Sequence, residues 1–375
     1  MGDLIPLNRP YVPEISKQYV LEALESNHQQ GDGPFTAKAS KIISDLVGGS
    51  HVLLTPSCTH ALEMASMLSN IGPGDEVILP SYTFTSAATA VTKFGATPVF
   101  VDIESSTKGI NIQQVHEVIT SKTKAISWVN YAGIVPDVEK LQNLARDYDL
   151  ILIEDNAHGL GGKFKGKPLG SFGDFATQSF HASKNIQCGE GGALIINNQK
   201  FIERAEIIRE KGTNRSRFMR GEIQKYQWVD HGSSYLLAEN LAAILLGQLE
   251  QIKEIQIKRD CIFDRYCQEL CNWAVENNFE LSFTRTSDLH TAHMFYMVAK
   301  TQQSRDLLIQ KLHRLGIQAS FHYQSLADSI MGSKYGPPAS PLQISRRMSS
   351  QLLRLPLYFG LDTENQSKVI EGIVS

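Results

Sequence analysis

The stretch Ser179-Phe180-His181-Ala182-Ser183-Lys184-Asn185, followed by Gly189-Glu190-Gly191-Gly192, sets one lysine among small, aromatic and glycine residues. A solvated surface lysine rarely has such neighbours. Burial lowers a lysine's pKa and leaves the amine free to attack a carbonyl, as Schiff-base chemistry needs. A second candidate is the pair Glu154-Asp155, which closes the apolar run Ile151-Leu152-Ile153. A carboxylate there is costly to bury without a positive partner, either the protonated ring nitrogen of a cofactor or an internal salt bridge. His158, just beyond, is placed to reach the same ligand. A third candidate is Thr55-Pro56-Ser57-Cys58-Thr59-His60, where small hydroxyl residues meet the start of a helix. Free N–H groups and the helix dipole favour an anion such as phosphate at that point, although a plain Ser/Thr N-cap reads the same way.

Other patterns argue against other chemistries. Gly159-Leu160-Gly161-Gly162 lacks the spacing of a dinucleotide fingerprint, and Lys163–Gly166 reads as a turn between short strands. Lys163, Lys165 and Lys167 are expected to be solvated. The 11 histidines show no HExxH or comparable spacing, so no metal site is expected, and no G-x-S-x-G elbow is present. With 36 Lys+Arg against 39 Asp+Glu the net charge is −3, which argues against a nucleic-acid partner. The cysteines Cys58, Cys188, Cys261, Cys267 and Cys271 form no CxxC pair. The last three are expected as buried thiols on a helix, and all five as reduced. No signal-peptide pattern opens the chain, and no apolar run approaches the roughly 20 residues of a membrane span. A cytoplasmic protein with no membrane partner is expected.

The elements that must position these residues are strands and helices in alternation. Strand-like runs cover Val52–Thr55, Glu76–Pro80, Thr97–Ile103, Ala125–Asn130, Leu150–Asn156, Asp174–Phe180 and Gly192–Asn197. Several are nearly continuous Val/Ile/Leu, the pattern of strands buried on both faces. Helical patterns at Thr59–Ser69, Thr83–Phe94, Ile112–Ile119 and Val138–Asp147 fall between them. The expected fold is α/β, with a mostly parallel seven-stranded sheet covered on both faces. Ligands then belong at the C-terminal ends of the strands. A long helical pattern from Leu236 to Leu270 leads to a smaller C-terminal α/β domain, with strands at Met294–Val298 and Ala319–Tyr323 and helices at Ser304–Leu315 and Glu364–Gly372. Residues 330–343 read as a loop. The expected division is 1–250 for the large domain with its N-terminal segment and 251–375 for the small one.

Taken together, Ser57-Cys58-Thr59, Pro80-Ser81-Tyr82-Thr83-Phe84, Glu154-Asp155-Asn156-Ala157-His158 and the Ser179–Gly192 stretch resemble the sugar aminotransferases of the DegT/DnrJ/EryC1/StrS family. The likeness runs from Ile5-Pro6-Leu7-Asn8 to Leu353-Arg354-Leu355-Pro356-Leu357-Tyr358. It implies a pyridoxal 5′-phosphate (PLP) enzyme of fold type I. Lys184 would be the catalytic residue, carrying the cofactor and shuttling a proton. Asp155 would keep the pyridine nitrogen protonated, which makes the ring an electron sink. Phe84 would stack on the ring, with an ordinary core position as the alternative. Cys58, Thr59 and Ser179 would receive the phosphate, and His158 would sit near the ring's phenolic oxygen. Tyr131, Arg215, Tyr226 and His322 are the expected substrate contacts.

The same resemblance implies that L-glutamate donates the amine to a keto sugar carried on a nucleotide. Blocks such as Val52–Thr59, Arg204–Arg215, Gly232–Leu236 and Ala292–Tyr296 resemble most the members that act on dTDP-4-dehydro-6-deoxy-D-glucose, which implies that substrate and dTDP-4-amino-4,6-dideoxy-D-galactose as the product. The gluco epimer and a 3-keto sugar are the alternatives. Members are homodimers with shared sites, and Gly212–Asp230 is the stretch expected to reach the partner, or else to be a loop that contacts nothing. Two departures stand out. Many members place a neighbouring subunit's asparagine on the phosphate; the aligned position is Leu236, with Ser233 or Ser234 as substitutes. The common H-Y-x-P-L-H block reads His322-Tyr323-Gln324-Ser325-Leu326-Ala327, which bears on the sugar pocket. The diphosphate would need only a local basic cluster such as Arg215, Arg217 and Arg220.

Overall fold

A computed structural model describes residues 4–282 and 290–375. The strands are β1 (His51–Thr55), β2 (Glu76–Pro80), β3 (Thr97–Val101), β4 (Thr123–Val129), β5 (Ile151–Asp155), β6 (Lys163–Phe164), β7 (Lys167–Pro168), β8 (Phe175–Ser179), β9 (Gly192–Ile196), β10 (Phe279–Leu281), β11 (Phe295–Ala299), β12 (Ser320–Phe321) and β13 (Leu352–Leu355). The α-helices are α1 (Glu14–Glu25), α2 (Pro34–Leu46), α3 (Cys58–Leu68), α4 (Thr85–Thr92), α5 (Ile112–Val118), α6 (Val138–Asp147), α7 (Ile202–Arg209), α8 (Arg215–Met219), α9 (Glu239–Glu250), α10 (Ile252–Glu276), α11 (Gln302–Arg314), α12 (Gln343–Gln351) and α13 (Thr363–Val374).

Seven strands form the main sheet in the order β1-β9-β8-β5-β4-β2-β3. Every pairing is parallel except those made by β9, which runs against both β8 and β1. This is the expected α/β architecture. Its apolar strands are buried on both faces because helices cover both sides. The interior β4 carries Trp128, 1% exposed, whose indole N–H donates to Asn130 Oδ1 at 3.0 Å. Thr55 at the end of β1 and Ser179 at the end of β8 both face Gly192 in register. Asp155 ends β5 on the same edge, so the three sequence candidates converge there.

The second sheet is four-stranded and antiparallel, β10-β11-β13-β12, and α10 to α13 pack around it. Phe263, Tyr266, Leu270, Phe295, Leu353 and Ile373 fill its core. Each such side chain contributes about 2–3 kcal/mol by leaving water. Ile5 also belongs to this core, bridging to Ile317 and exchanging backbone bonds of 2.9 Å with Gly316 and Gln318. The N-terminal segment thus serves the second sheet although it precedes the first.

Two expectations differ from what the fold shows. The pattern from Leu236 to Leu270 is two helices, because Gln251 leaves helical geometry (φ −100°, ψ 12°) between α9 and α10. Cys261 and Cys271 are exposed rather than buried. The stripe of α10 that faces the core runs through Ile255, Ile262, Tyr266 and Leu270, away from both thiols. Lys165 is exposed, as expected, but its solvated amine is also ion-paired with Glu139 at 2.7 Å. It does sit in the expected turn, between β6 and β7. No helix among the described residues is long and apolar enough to cross a membrane.

Candidate active site

The edge of the main sheet borders a cavity of about 520 Å³ that the second sheet closes from the other side. The end of β1, the start of α3, the end of β5 and the β8–β9 hairpin supply one wall. His293, His322, Tyr323 and Arg354 supply the opposite one.

At the β1–α3 turn, Ser57 caps the helix, its Oγ accepting from His60 N–H at 3.2 Å. The cap leaves early amides of α3 free to point outward. Thr59 Oγ1 and Ser86 Oγ lie 2.7 Å apart and line the cavity together. A Cβ on Gly192 would stand 2.4 Å from Cys58 N and 2.3 Å from Ser57 C. Only a glycine lets β9 lie against this backbone, which accounts for Gly192, while a Cβ on Gly191 would stand 2.5 Å from Cys188 Sγ. Ser179 Oγ, at the end of β8, points to the same corner and accepts from His181 N–H at 3.4 Å. Burial, followed by the charge of Asp155, pushes the Cys58 thiol up, so it stays neutral.

Lys184 rides on the hairpin between β8 and β9. Backbone bonds Phe180 N–H to Gly191 O, Ala182 N–H to Gly189 O and Lys184 N–H to His181 O, all 2.8 or 2.9 Å, fix the loop. Burial lowers its pKa to about 8, although Asp155 pulls it upward. The amine is therefore available as a nucleophile near neutral pH.

Asp155 is buried, and its carboxylate accepts one hydrogen bond, from Ala157 N–H at 3.1 Å. Among the described residues it forms no salt bridge. Burial raises its pKa, opposed by the Ala157 amide and Lys184. The adjacent Glu154 faces the other side of the sheet and accepts from Asn130 Nδ2 at 2.7 Å, Gly170 N–H at 2.7 Å and Phe172 N–H at 2.9 Å. Among the described residues the internal salt bridge weighed for this pair is absent: Glu154 is satisfied by N–H donors, while Asp155 faces the cavity with the charge of Lys184 nearby but no cation in contact. A protonated ring nitrogen fits that deficit, and the outward amides of α3 with the Ser179 hydroxyl fit a phosphate.

His158 is buried, stacks on His293 with ring centroids 4.2 Å apart, and accepts from Ala132 N–H at 3.3 Å. Burial, then the charge of Lys184, holds it well below the usual histidine range, so it is neutral. His293 bonds Asn185 Oδ1 through Nδ1 at 2.8 Å. The Asn185 amide is oriented by its 2.7 Å bond to Thr291 O, so His293 Nδ1 carries the proton. Arg259 of α10 donates to Ala292 O at 3.2 Å and His293 O at 2.7 Å, which fixes that loop.

Phe84, 55% exposed, borders the cavity, so it is not a core residue. Cys58, Thr59, Phe84, Asp155, His158, Ser179, Lys184 and His322 are brought together. Tyr131 is not on the surface of the cavity; it lies fully buried behind it, 2.8 Å from His322 Nδ1. Arg215, Tyr226 and Ser234 lie outside the cavity of one chain. Arg215 pairs with Glu210 at 3.1 Å, Arg217 with Glu203 and Glu222, and Arg220 with Glu206 and Glu222. The basic cluster suggested for a diphosphate is thus already engaged by carboxylates. Sequence reasoning did not single out His293, Tyr323 or Arg354. The available signal was an arginine inside the apolar run Leu352-Leu353-Arg354-Leu355.

A lysine amine beside a buried, unpaired carboxylate, at a parallel sheet edge with a phosphate-type helix start, defines a PLP-dependent transferase. Residues 11–374 match the DegT/DnrJ/EryC1/StrS aminotransferase family, and the chain belongs to it. An uncharacterised protein of Methanocaldococcus jannaschii is 32% identical over 328 residues, covering 85% of this chain and 83% of its own length. The aminotransferase TlmJ of Streptoalloteichus hindustanus superposes with a TM-score of 0.90 at 26% identity, covering 99% of this chain and 98% of the other. The PLP form of a candidate sugar aminotransferase of Streptococcus pneumoniae gives 0.90 at 27%, over 99% and 97%. That protein also has a PMP form with a TM-score of 0.90. The cofactor is PLP. When bound, it supplies the electron sink that lets an amino group leave one carbon for another.

Proposed function

We propose that this aminotransferase moves the amino group of L-glutamate to a nucleotide-linked keto-deoxysugar, dTDP-4-dehydro-6-deoxy-D-glucose, giving dTDP-4-amino-4,6-dideoxy-D-galactose. The observation that carries the reading is the cavity itself, where Lys184 and Asp155 share about 520 Å³ with an exposed aromatic platform, Phe84. That volume holds a cofactor ring and a sugar together. The blocks at Val52–Thr59, Arg204–Arg215, Gly232–Leu236 and Ala292–Tyr296 support the 4-keto substrate. The likeness to the Streptococcus pneumoniae protein supports a sugar acceptor.

In this reading Lys184 Nζ holds the cofactor and moves the proton at the reacting carbon. Asp155 holds the proton on the ring nitrogen. Neutral His158 flanks the ring without adding charge, and Phe84 covers one ring face. Residues 1–250 form the cofactor-binding unit and 251–375 the smaller unit. The protein works in the cytoplasm as a homodimer, with Arg215, Tyr226 and Ser234 serving the partner's site.

The test is incubation of the cofactor-loaded protein with dTDP-4-dehydro-6-deoxy-D-glucose and L-glutamate, followed by NMR of the product. An axial C4 amine is expected, seen as small couplings to its neighbours. An equatorial amine would establish the gluco epimer instead. Amination confined to a 3-keto sugar would overturn the C4 assignment.

A further inference from the structure

Arg354 stands on β13 in the second sheet and lines the cavity opposite the phosphate corner. Among the described residues Lys184 and Arg354 are the two Lys/Arg side chains that line it, and in the proposed function Lys184 is committed to the cofactor. Arg354 has no salt-bridge partner among the described residues, and its Nε is closed off from water with no acceptor. The buried Arg209 and Arg259 are both engaged, Arg209 with Asp32 and Arg259 with two carbonyls, whereas the partly buried Arg354 is not. A guanidinium N–H sealed without an acceptor costs free energy unless a ligand supplies an oxygen.

The acids of the cavity do not answer it. Asp155 lies with Lys184, and Glu190 lies toward His181 at 3.7 Å. His158, His293 and His322 nearby are neutral. Burial is the main cause, and the charge of Arg354 depresses His158 and His322 further. The phosphate already has the α3 amides and the Ser179 hydroxyl on the far wall. What remains beside Lys184 is a position for a compact, planar anion. A guanidinium presents Nε–H and an Nη–H side by side, which matches the two oxygens of a carboxylate.

We propose that Arg354 anchors the carboxylate of the amino-acid donor, fixing the carbon that bears the amine against Lys184. The inference rests on the amino-acid donor of the proposed function, but not on the identity of the sugar. Arg354→Gln and Arg354→Lys are each followed in the donor half-reaction alone, with L-glutamate, no sugar, and the cofactor's absorbance as the readout. Calorimetric titration of the loaded protein with maleate, which has no amine, measures carboxylate binding separately from activity.

For Arg354→Gln the apparent affinity for glutamate is expected to fall about 100-fold, as for loss of a buried bidentate charge pair. Maleate binding falls in parallel. Arg354→Lys, which keeps the charge and loses the fork, falls between. The loss on the donor side exceeds that on the sugar side by at least about tenfold. Unchanged glutamate and maleate affinities in both variants would overturn the proposal. An equal or larger loss on the sugar side would do the same, and would reassign Arg354 to the nucleotide diphosphate. Because the donor measurements contain no sugar, failure of the substrate assignment leaves them readable. Should Arg354→Gln not fold, Arg354→Lys decides by the same measurements.

Discussion

Lys184 and Asp155 work as a pair in which each sets the other's proton affinity. Burial brings the amine down to about 8, and the carboxylate keeps it from falling further. In the proposed role of Lys184 only its unprotonated amine captures the cofactor, so the capture rate of the cofactor-free protein should rise with pH through a midpoint of about 8. Asp155→Asn removes the charge that favours the ammonium form. The midpoint should move down, read by stopped-flow absorbance at about 410–430 nm, where such lysine-bound cofactors absorb. A midpoint unmoved by the substitution would mean that the two groups do not communicate. These two residues were legible in the sequence because each violates its surroundings, a charge at the end of an apolar strand or inside a glycine-rich loop. Arg354, Tyr323 and His293 were less legible. They come from the second sheet and its loops, where short strands give a weaker pattern, and only folding sets them opposite Lys184. Tyr323 also has φ of +43°, a left-handed geometry that a tyrosine in sequence does not announce.

Among the elements, α2 depends on a residue 206 positions from its cap. Its N-cap is Gly33, which has no side chain to offer, and the carboxylate of Glu239 on α9 takes the role. Glu239 is fully buried and accepts from Gly33 N–H at 3.0 Å, Phe35 N–H at 2.9 Å and Thr36 N–H at 3.0 Å, and from the Thr36 hydroxyl. Removing it leaves these donors buried and unsatisfied. Glu239→Ala should therefore cost about 3 kcal/mol, and Glu239→Gln about half of that. The shift of the urea unfolding midpoint measures both; an unchanged midpoint for Glu239→Ala would show that water or another group takes its place. Periodicity located the seven strands and the helices between them, because burial on both faces writes a continuous apolar run. It did not show the break at Gln251, since the apolar stripe continues across the joint and no glycine or proline marks it. Nor could local pattern reveal a cap supplied from so far along the chain.

At the scale of the molecule, residues 212–230 stand out as a flap whose base is closed by the bridge between Thr213 and Trp228. Its outer side carries Met219 at 69% exposure and Trp228 at 76%, beside Phe218, Tyr226 and Val229. So much apolar surface on one short segment is the mark of an interface. In the homodimer proposed above, light scattering should give twice the 41.7 kDa of one chain. Trp228→Glu should shift that mass toward one chain; a single-chain mass for the unaltered protein would remove the shared-site arrangement. The cysteine exposure and the ion-paired arginines of the flap were illegible for one reason: the side of a helix that faces outward depends on packing against distant elements. The bridge from Ile5 to Ile317 has a consequence in time. The second residue of that pair leaves the ribosome last of the two, so Ile5 must wait for its partner while some three hundred residues are made. Contacts this remote in sequence close slowly. The second core is therefore completed only after Ile317 and the strand beyond it have been made, and a nascent chain carrying the whole main sheet still lacks the wall that places Arg354 in the cavity.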